Sequence, residues 1–154
     1  MKESTLKLGS PFNGVYYWNK LAGVEKGDCK SFNSEIARDL VIEEYHEYMD
    51  ALDHRVNSEI AKELSDLLFV VIGAFYRYGL DADVCLNHVL ASNFSKFCTT
   101  EDEAKASVKA LTKNGKKASY KKVGEYYILF DTDTGKILKG IGYFNADFST
   151  LGEA

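Results

Sequence analysis

A long helical periodicity that ends near residue 117 is the feature that most constrains the fold of this chain. From Asn13 to about Thr112 the apolar residues recur at spacings of three and four, which is typical of helices with one buried face. Beyond that point the spacing changes to two in YYILF, 126–130, and KILKGIGYF, 136–144, and these segments flank the turn-forming DTDTG. Together they predict a mainly helical fold with a short C-terminal β-hairpin.

The ends of the predicted helices are marked by residues that commonly cap helices. Four such residues are followed by helical patterns, and one of them, Thr100, has a glutamate three residues later in the spacing of a capping box. The caps are Ser34, Ser58, Asp81 and Thr100, and the predicted ends lie near Asp53, Tyr78, Phe97 and Asn114. We therefore predict a helical domain, residues 1–117, and a hairpin tail, residues 118–154.

Composition excludes several classes of protein. The 154 residues are 45% hydrophobic, so one globular domain with a real core is expected. The net charge of -4 disfavours binding to a nucleic acid polymer, and no apolar run predicts a membrane span or a secretory signal. Cys29, Cys85 and Cys98 form no CxxC pair and are predicted to be reduced packing thiols. A cytoplasmic protein without membrane partners is expected.

Acidic residues occupy rows of the second and third predicted helices that are otherwise largely apolar. The first row contains Glu44 and Glu47, and the second contains Glu63 and Asp66 before the apolar run LLFVVIGAFY. Burying unpaired carboxylates costs several kcal/mol each, roughly, so a cation is needed among them. A set of carboxylate oxygens without thiolate or imidazole suits Mg²⁺, or Mn²⁺, better than zinc.

The opposing interpretation is that these acids form solvated helix surfaces. An isolated ExxE or ExxD carries little information, because acids are common on exposed helix faces. Here two such pairs lie on inward rows of helices joined by a short connection, which makes the helices antiparallel neighbours. This combination favours a metal site, and magnesium in turn suggests phosphate chemistry.

The same residues carry a family resemblance. Glu43-Glu44-x-x-Glu47 followed by Glu63-x-x-Asp66 resembles the EExxE…ExxD signature of the MazG-like all-α nucleoside triphosphate pyrophosphohydrolases, which are related to dimeric dUTPases and phosphoribosyl-ATP pyrophosphohydrolase. ASNFSKF at 91–97 and GKILKGIGYFNADFS at 135–149 resemble two further segments of one branch. The resemblance implies an antiparallel four-helix core of the all-α NTP pyrophosphatase type with the short C-terminal hairpin.

The resemblance also implies an activity and a site. The activity is Mg²⁺-dependent hydrolysis of a nucleoside triphosphate, in particular a dNTP, to the monophosphate and pyrophosphate. The implied metal ligands are Glu44, Glu47, Glu63 and Asp66, with Glu43, Glu44 and Glu47 as candidate catalytic residues. The implied substrate-binding residues are Asn93, Lys96, Lys136 and Lys139. The residue patterns do not identify the general base, the base and sugar of the substrate, or the bond that is cleaved.

The sequence also leaves two alternative classes of protein open and predicts an oligomeric state. Glu43-x-x-His46 has a spacing found in di-iron carboxylate bundles, although the second copy here lacks a histidine. A non-catalytic nucleotide-binding helical module is the other alternative. The apolar run from Ile72 to Tyr78 is expected to leave exposed surface, which predicts a homodimer or homotetramer.

Overall fold

The computed structural model describes residues 9–27 and 32–149, which form two compact units. The first unit contains the described residues up to Val84 and the second begins at Cys85. Within the described residues there are five helices and a small antiparallel sheet. The predicted fold class, a helical core with a short C-terminal hairpin, is therefore confirmed. The division into functional domains at residue 117 stays a prediction, because compactness alone does not define a functional domain.

Three helices build the first unit. They are α1 (Pro11–Leu21), α2 (Phe32–His54) and α3 (Asn57–Arg77). The hydroxyl of Ser10 accepts a hydrogen bond from the backbone N–H of Asn13 at 3.3 Å and so caps α1, in which proline occupies the first turn. The predicted caps at Ser34 and Ser58 are wrong, since α2 begins before Ser34 and α3 follows Val56, which provides no side-chain cap.

The packing of α2 against α3 positions the candidate site. The connection consists only of Arg55 and Val56, and Arg55 adopts a left-handed backbone conformation (φ 57°). The hydroxyl of Tyr78, just after α3, donates to the carbonyl oxygen of Ser34, near the start of α2, at 3.5 Å. The two helices are therefore antiparallel neighbours, as the short connection predicted.

The core of the first unit lies where α1 crosses α3. Val15 and Ile72 are buried there together with Ala82, and four aromatic residues pack around them: Phe12, Tyr16, Phe69 and Phe75. The Tyr16 hydroxyl donates to the carbonyl of Leu80 at 2.8 Å and accepts from the N–H of Ala82 at 2.7 Å. Because Ile72 is only 3% exposed, the expectation that the run from Ile72 to Tyr78 leaves uncovered surface is wrong at its start.

The second unit combines the rest of a fourth helix with an α/β segment. Its elements are α4 (Ala82–Phe94, which begins in the first unit), β1 (Phe97–Cys98), α5 (Glu101–Lys113), β2 (Ala118–Val123) and β3 (Tyr126–Asp131). Asp81 caps α4 as predicted, because its carboxylate accepts from the N–H of Val84 at 3.0 Å. The predicted end near Phe97 is wrong, since Phe97 pairs with Ile128 in the sheet.

The caps of α5 agree with the predicted capping spacing. The Thr100 hydroxyl accepts from the N–H of Glu103 at 3.2 Å, and the Glu103 carboxylate accepts in return from the N–H of Thr99 at 2.9 Å. Gly115 follows the helix with φ 77°, a conformation that suits glycine at a helix end.

The hairpin uses a different strand pair from the one predicted. β3 is flanked by β1 and β2 in the order β1-β3-β2, and β2 lies before β3 in the chain. Residues 136–144 make only one isolated bridge, between Ile137 and Phe130. Backbone hydrogen bonds from Asp131 N–H to Lys136 O and from Leu138 N–H to Leu129 O accompany this bridge. Farther on, Gly140 packs closely, because a Cβ atom there would lie 2.9 Å from both Leu129 Cδ1 and Ser107 Oγ. The segment lies against the core instead of continuing the sheet.

The core of the second unit is small and contains a cysteine. Cys98, Ala104 and Leu129 are buried, and five partly buried side chains pack on them: Val108, Leu111, Tyr120, Tyr127 and Leu138. Cys85 and Cys98 are buried, which agrees with the predicted packing role, whereas Cys29 lies outside the described residues. Among the described helices, none has the length and apolar content that crossing a membrane requires.

Candidate functional site

Three of the four predicted metal ligands converge between α2 and α3. Oxygen atoms of Glu44, Glu63 and Asp66 all lie within 4.8 Å of one another, and each residue is partly buried. Glu63 and Asp66 share one face of α3 because they are three residues apart. Glu44 approaches them from α2 across the antiparallel contact. The position of these acids on the inward faces of the predicted helices therefore predicted the convergence of the three carboxylates correctly.

We call this group of three carboxylates the acidic cluster. Its burial and its like charges affect the pKa of Glu44. Burial raises the pKa of Glu44, and the negative charges of Glu47, Asp66 and Glu43 raise it further. A carboxyl group whose pKa rises in this way holds its proton more tightly because its charged form is poorly stabilised. The cluster consequently favours additional positive charge at Glu44.

Lys62 supplies part of that charge and was not singled out from the sequence. Its ammonium group donates to both carboxylate oxygens of Glu63 at 3.0 Å and to Asp66 at 3.0 Å. Hydrogen bonds to these two acids raise the pKa of Lys62. The side chain is 63% exposed, so Lys62 covers the cluster from the solvent side. Its i,i+4 spacing from Asp66 was a usable sequence signal.

Glu47 and Glu43 lie beside the acidic cluster, outside the group of converging oxygens. Glu47 lines an adjacent cavity of about 390 Å³ together with Glu63, and the other lining residues are Asp50, Ala51, His54 and Glu59. Glu43 is exposed on α2. The predicted roles of Glu47 as a ligand and of Glu43, Glu44 and Glu47 in catalysis stay predictions.

The histidines contribute nothing to the acidic cluster. His46 is exposed, and its ring lies 5.9 Å from the ring of Tyr45. His54 lies 3.3 Å from Glu59 in the neighbouring cavity. The cluster thus contains only carboxylates, which is the donor set of a hard divalent cation.

The predicted substrate-binding residues lie in the second unit. Lys96 donates to the side-chain oxygen of Asn93 at 2.6 Å, and the Asn93 amide donates to the carbonyl of Val89 at 3.1 Å. The ammonium nitrogen of Lys139 lies 4.2 Å from the centre of the Tyr143 ring. Lys136 is exposed beside the turn after β3, where its N–H donates to Thr134 Oγ1 at 3.3 Å. Binding of substrate by Asn93, Lys96, Lys136 and Lys139 stays a prediction.

Comparison with known proteins identifies the helical part of the chain. Residues 21–93 match the family model of phosphoribosyl-ATP pyrophosphohydrolase, a range that contains both acidic pairs and all of α2 and α3. No curated protein matches the chain. The family match supports a pyrophosphohydrolase activity on a nucleotide. Residues 21–93 are thus similar to the phosphoribosyl-ATP pyrophosphohydrolase family, which lies in the MazG-like NTP pyrophosphatase superfamily, and this is the relationship that the acidic motifs predicted.

Proposed function

We propose that this protein hydrolyses a nucleoside triphosphate, in particular a dNTP, to the monophosphate and pyrophosphate with the help of Mg²⁺. The observation that carries the proposal is the convergence of Glu44, Glu63 and Asp66 from two antiparallel helices, within a segment that matches a pyrophosphohydrolase family. Three carboxylates from separate turns need a compact cation, and a triphosphate is commonly bound through such an ion.

The residues of the acidic cluster fit a divalent magnesium or manganese ion. All the candidate ligands are carboxylate oxygens, and the raised pKa of Glu44 indicates that Lys62 does not fully balance the negative charge there. Glu44, Glu63 and Asp66 would hold the metal, with Glu47 next to them as a further ligand. When bound, such an ion would supply a lower pKa for water and a positive charge to balance the phosphate oxygens.

The remaining steps are assigned to side chains of the chain itself. Glu43, Glu44 and Glu47 are the candidate catalytic carboxylates, and Glu43, which is not among the proposed metal ligands, is the one best able to accept the proton of the attacking water. Lys62 donates hydrogen bonds to the carboxylates of Glu63 and Asp66 and so helps to position them. Lys96 and Lys139 stay the predicted substrate-binding cations, and Asn93 accepts a hydrogen bond from Lys96.

Phosphoribosyl-ATP is a second candidate substrate, and the family match favours it. The molecule named by the matched family is also attacked in its phosphate chain to release pyrophosphate, so the same carboxylates would serve. A direct comparison of the two substrate classes decides between them, because the acidic cluster itself contacts neither a base nor a second ribose.

A homodimer or homotetramer is also part of the proposal. Large apolar side chains of α2 and α3 are exposed. The exposed fraction is 46% for Leu64 and 54% for Leu68, and it is similar for Ile42 and Met49. An apolar cavity of about 430 Å³ lies between the same helices. Surface of this kind is usually covered by another chain. Light scattering coupled to size exclusion tests the assembly, and a strictly monomeric protein at micromolar concentration contradicts it. A cytoplasmic location stays a prediction.

The deciding experiment is product analysis by anion-exchange chromatography. The purified protein is incubated in Mg²⁺ with all common NTPs and dNTPs and with phosphoribosyl-ATP. We expect release of pyrophosphate, and a loss of about 100-fold or more in Glu63→Gln and Asp66→Asn, because removal of groups that hold a catalytic metal has effects of this size. Asp53→Asn, an exposed carboxylate on the same α2, is the matched control and should retain activity.

The outcome also separates the other classes of function. The proposed hydrolysis would be refuted if no compound of the panel released pyrophosphate, or if Glu63→Gln and Asp66→Asn both kept full activity. Triphosphates that bind but survive long incubation would indicate a non-catalytic binding module. Iron that co-purifies with the protein would indicate a di-iron carboxylate protein.

A further inference from the structure

The ammonium group of Lys62 lies where Glu63 and Asp66 would share a cation. Its nitrogen is 3.0 Å from each of the two carboxylate oxygens of Glu63 and 3.0 Å from Oδ2 of Asp66. One positively charged group therefore donates to three of the four carboxylate oxygens on these two acids. Because the nitrogen is equally distant from both oxygens of Glu63, it lies where a metal ion held by both oxygens would also lie.

The helical spacing of these residues does not account for the whole contact. Lys62 and Asp66 are four residues apart and share a face of α3, but Lys62 and Glu63 are consecutive, and consecutive side chains on a helix do not face each other. The Glu63 side chain is only 14% exposed, so the lysine reaches from the surface to an acid that is largely buried. A poorly solvated carboxylate needs a positive partner, and this need explains why the ammonium group lies against Glu63.

A second lysine of the chain shows what an ordinary pair on a helix looks like. Lys105 and Glu101 are also four residues apart, on α5, and the ammonium nitrogen lies 3.1 Å from Oε1 of the acid. In that pair the acid is 48% exposed, and an exposed pair of this kind contributes little to stability. Lys62 differs because it connects two acids of the partly buried acidic cluster.

We propose that Lys62 is a placeholder for the divalent ion. Its ammonium group holds Glu63 and Asp66 together while the ion is absent, and it leaves them when the ion binds. The inference rests on the metal site of the proposed function, and it assigns to Lys62 the control of how tightly that site binds its ion.

Mutual repulsion is the reason that the lysine leaves. The ammonium nitrogen is 3.0 Å from the acid oxygens, and Mg²⁺ binds oxygen at about 2.1 Å, so an ion on the same oxygens would lie within about 5 Å of that nitrogen. This distance is shorter than the screening length of about 8 Å in physiological salt. The lysine side chain is flexible and 63% exposed, so its ammonium group can move into water at little cost.

Isothermal titration calorimetry with Mg²⁺ alone, without nucleotide, measures the competition. Lys62→Met removes the charge and keeps a long side chain that suits a helix. The ion then displaces no bound cation, so this variant should bind Mg²⁺ about tenfold more tightly than wild type. Lys62→Arg keeps the positive charge and should bind within about twofold of wild type. Lys105→Met is the matched control, because it removes the lysine of the exposed pair, and it should also stay within about twofold.

Thermal unfolding distinguishes a placeholder from a permanent salt bridge. Without the ion, Lys62→Met should unfold at a lower temperature than wild type, because Glu63 and Asp66 lose their shared hydrogen-bond donor. With Mg²⁺ at saturation the difference should disappear or reverse, since the lysine no longer contacts these acids in wild type either. A permanent salt bridge would leave the same difference in Tm under both conditions.

A third measurement follows the lysine itself. The rate at which an N-hydroxysuccinimide ester acylates each lysine is measured by mass spectrometry at increasing Mg²⁺ concentrations. An amine released from two carboxylates is more available to the reagent, so the rate at Lys62 should rise several-fold with the midpoint found by calorimetry. The rate at Lys105 should not change.

The proposal is refuted if wild type and Lys62→Met bind Mg²⁺ equally tightly, if neither binds it, or if acylation of Lys62 does not respond to the ion. Hydrolysis is judged separately by product analysis. Turnover of a nucleotide with equal Mg²⁺ affinities would leave the proposed function standing without the placeholder. Tighter binding in Lys62→Met, with no turnover by either protein, would support the placeholder and contradict the proposed function.

Discussion

Replacing Glu44 by glutamine should affect the protein in opposite directions with and without magnesium. Without the ion, the Glu44 carboxylate is destabilising, because burial and neighbouring acids raise its pKa in the folded state. Above its ordinary pKa, an acid of this kind reduces the free energy of unfolding, and an uncharged glutamine removes the penalty. Like charges about 4 Å apart repel by about 1 kcal/mol in water. We therefore expect Glu44→Gln to be as stable as wild type without metal, or more stable by up to that amount.

With magnesium the order should reverse. An ion that binds only the folded protein stabilises it by about 1.4 kcal/mol at ten times its dissociation constant and by about 2.7 kcal/mol at one hundred times. For a protein of this size each kcal/mol raises Tm by about 2–4 °C, so wild-type Tm should rise by roughly 3–10 °C across that range. Glu44→Gln replaces one of three converging carboxylates by a neutral amide and should show a small fraction of this rise.

Thermal unfolding followed by circular dichroism at several Mg²⁺ concentrations measures both effects. Asp53→Asn removes an exposed carboxylate from the same α2 and controls for nonspecific screening of negative charge by the salt. Its magnesium response should equal that of wild type. The reasoning is refuted if wild-type Tm does not respond to magnesium, or if Glu44→Gln responds as strongly as wild type does.

Two further predictions concern the second unit. In Gly140→Ala the new methyl group would meet Leu129 Cδ1 at 2.9 Å, so we expect a loss of about 1–3 kcal/mol in the free energy of unfolding; an unchanged urea midpoint would contradict the close approach. Hydrogen bonds from the backbone and hydroxyl of Thr134 lower the pKa of Asp131, so its contribution to stability is present above the ordinary pKa of an aspartate and is lost as pH falls below it. Asp131→Asn should therefore show a flatter acid dependence of Tm below about pH 4 than wild type, and identical profiles would exclude this role.

The part of the candidate site that lies on helices could be predicted from the sequence because helical geometry is local. A spacing of three and four residues determines which face a side chain occupies, and Glu44, Glu63 and Asp66 indeed meet between α2 and α3. The same rule could not distinguish Glu47 from these three. A helical face is broad, and which oxygen atoms meet depends on side-chain conformations and on the crossing of the helices.

The pairing of the strands could not be predicted in this way. Alternation identified β3 correctly, but the segment 136–144 alternates as well and makes only one bridge to β3, between Ile137 and Phe130, before it packs closely on the core at Gly140. The true partner, β2, reads ASYKKV and does not alternate, because its first half is partly buried and its second half is exposed. Strand pairing depends on contacts between distant residues, which a local pattern does not record.

The tail lysines illustrate the same limit in the second unit. Lys136 and Lys139 are equivalent in the sequence, yet only Lys139 is placed against Tyr143. The difference arises from hydrogen bonds that Ser92, Ser95 and Ser107 make to backbone groups more than thirty residues away. Ser92 and Ser95 belong to the segment ASNFSKF, but nothing in the sequence pairs them with Phe144, and Ser107 lies in no motif.

Charge balance within the acidic cluster explains why Glu44 is the residue that should report on a metal. Lys62 contacts both acids of α3 but is not hydrogen-bonded to Glu44, so one positive charge is shared by Glu63 and Asp66 while Glu44 keeps a raised pKa. A divalent cation adds most stability where the protein's own compensation is weakest. Glu63 and Asp66 would contact Lys62 and a divalent ion in turn, whereas Glu44 would contact the ion without a hydrogen bond from Lys62. It follows that a variant at Glu44 separates the contribution of the ion from that of Lys62, which a variant at Glu63 or Asp66 cannot do.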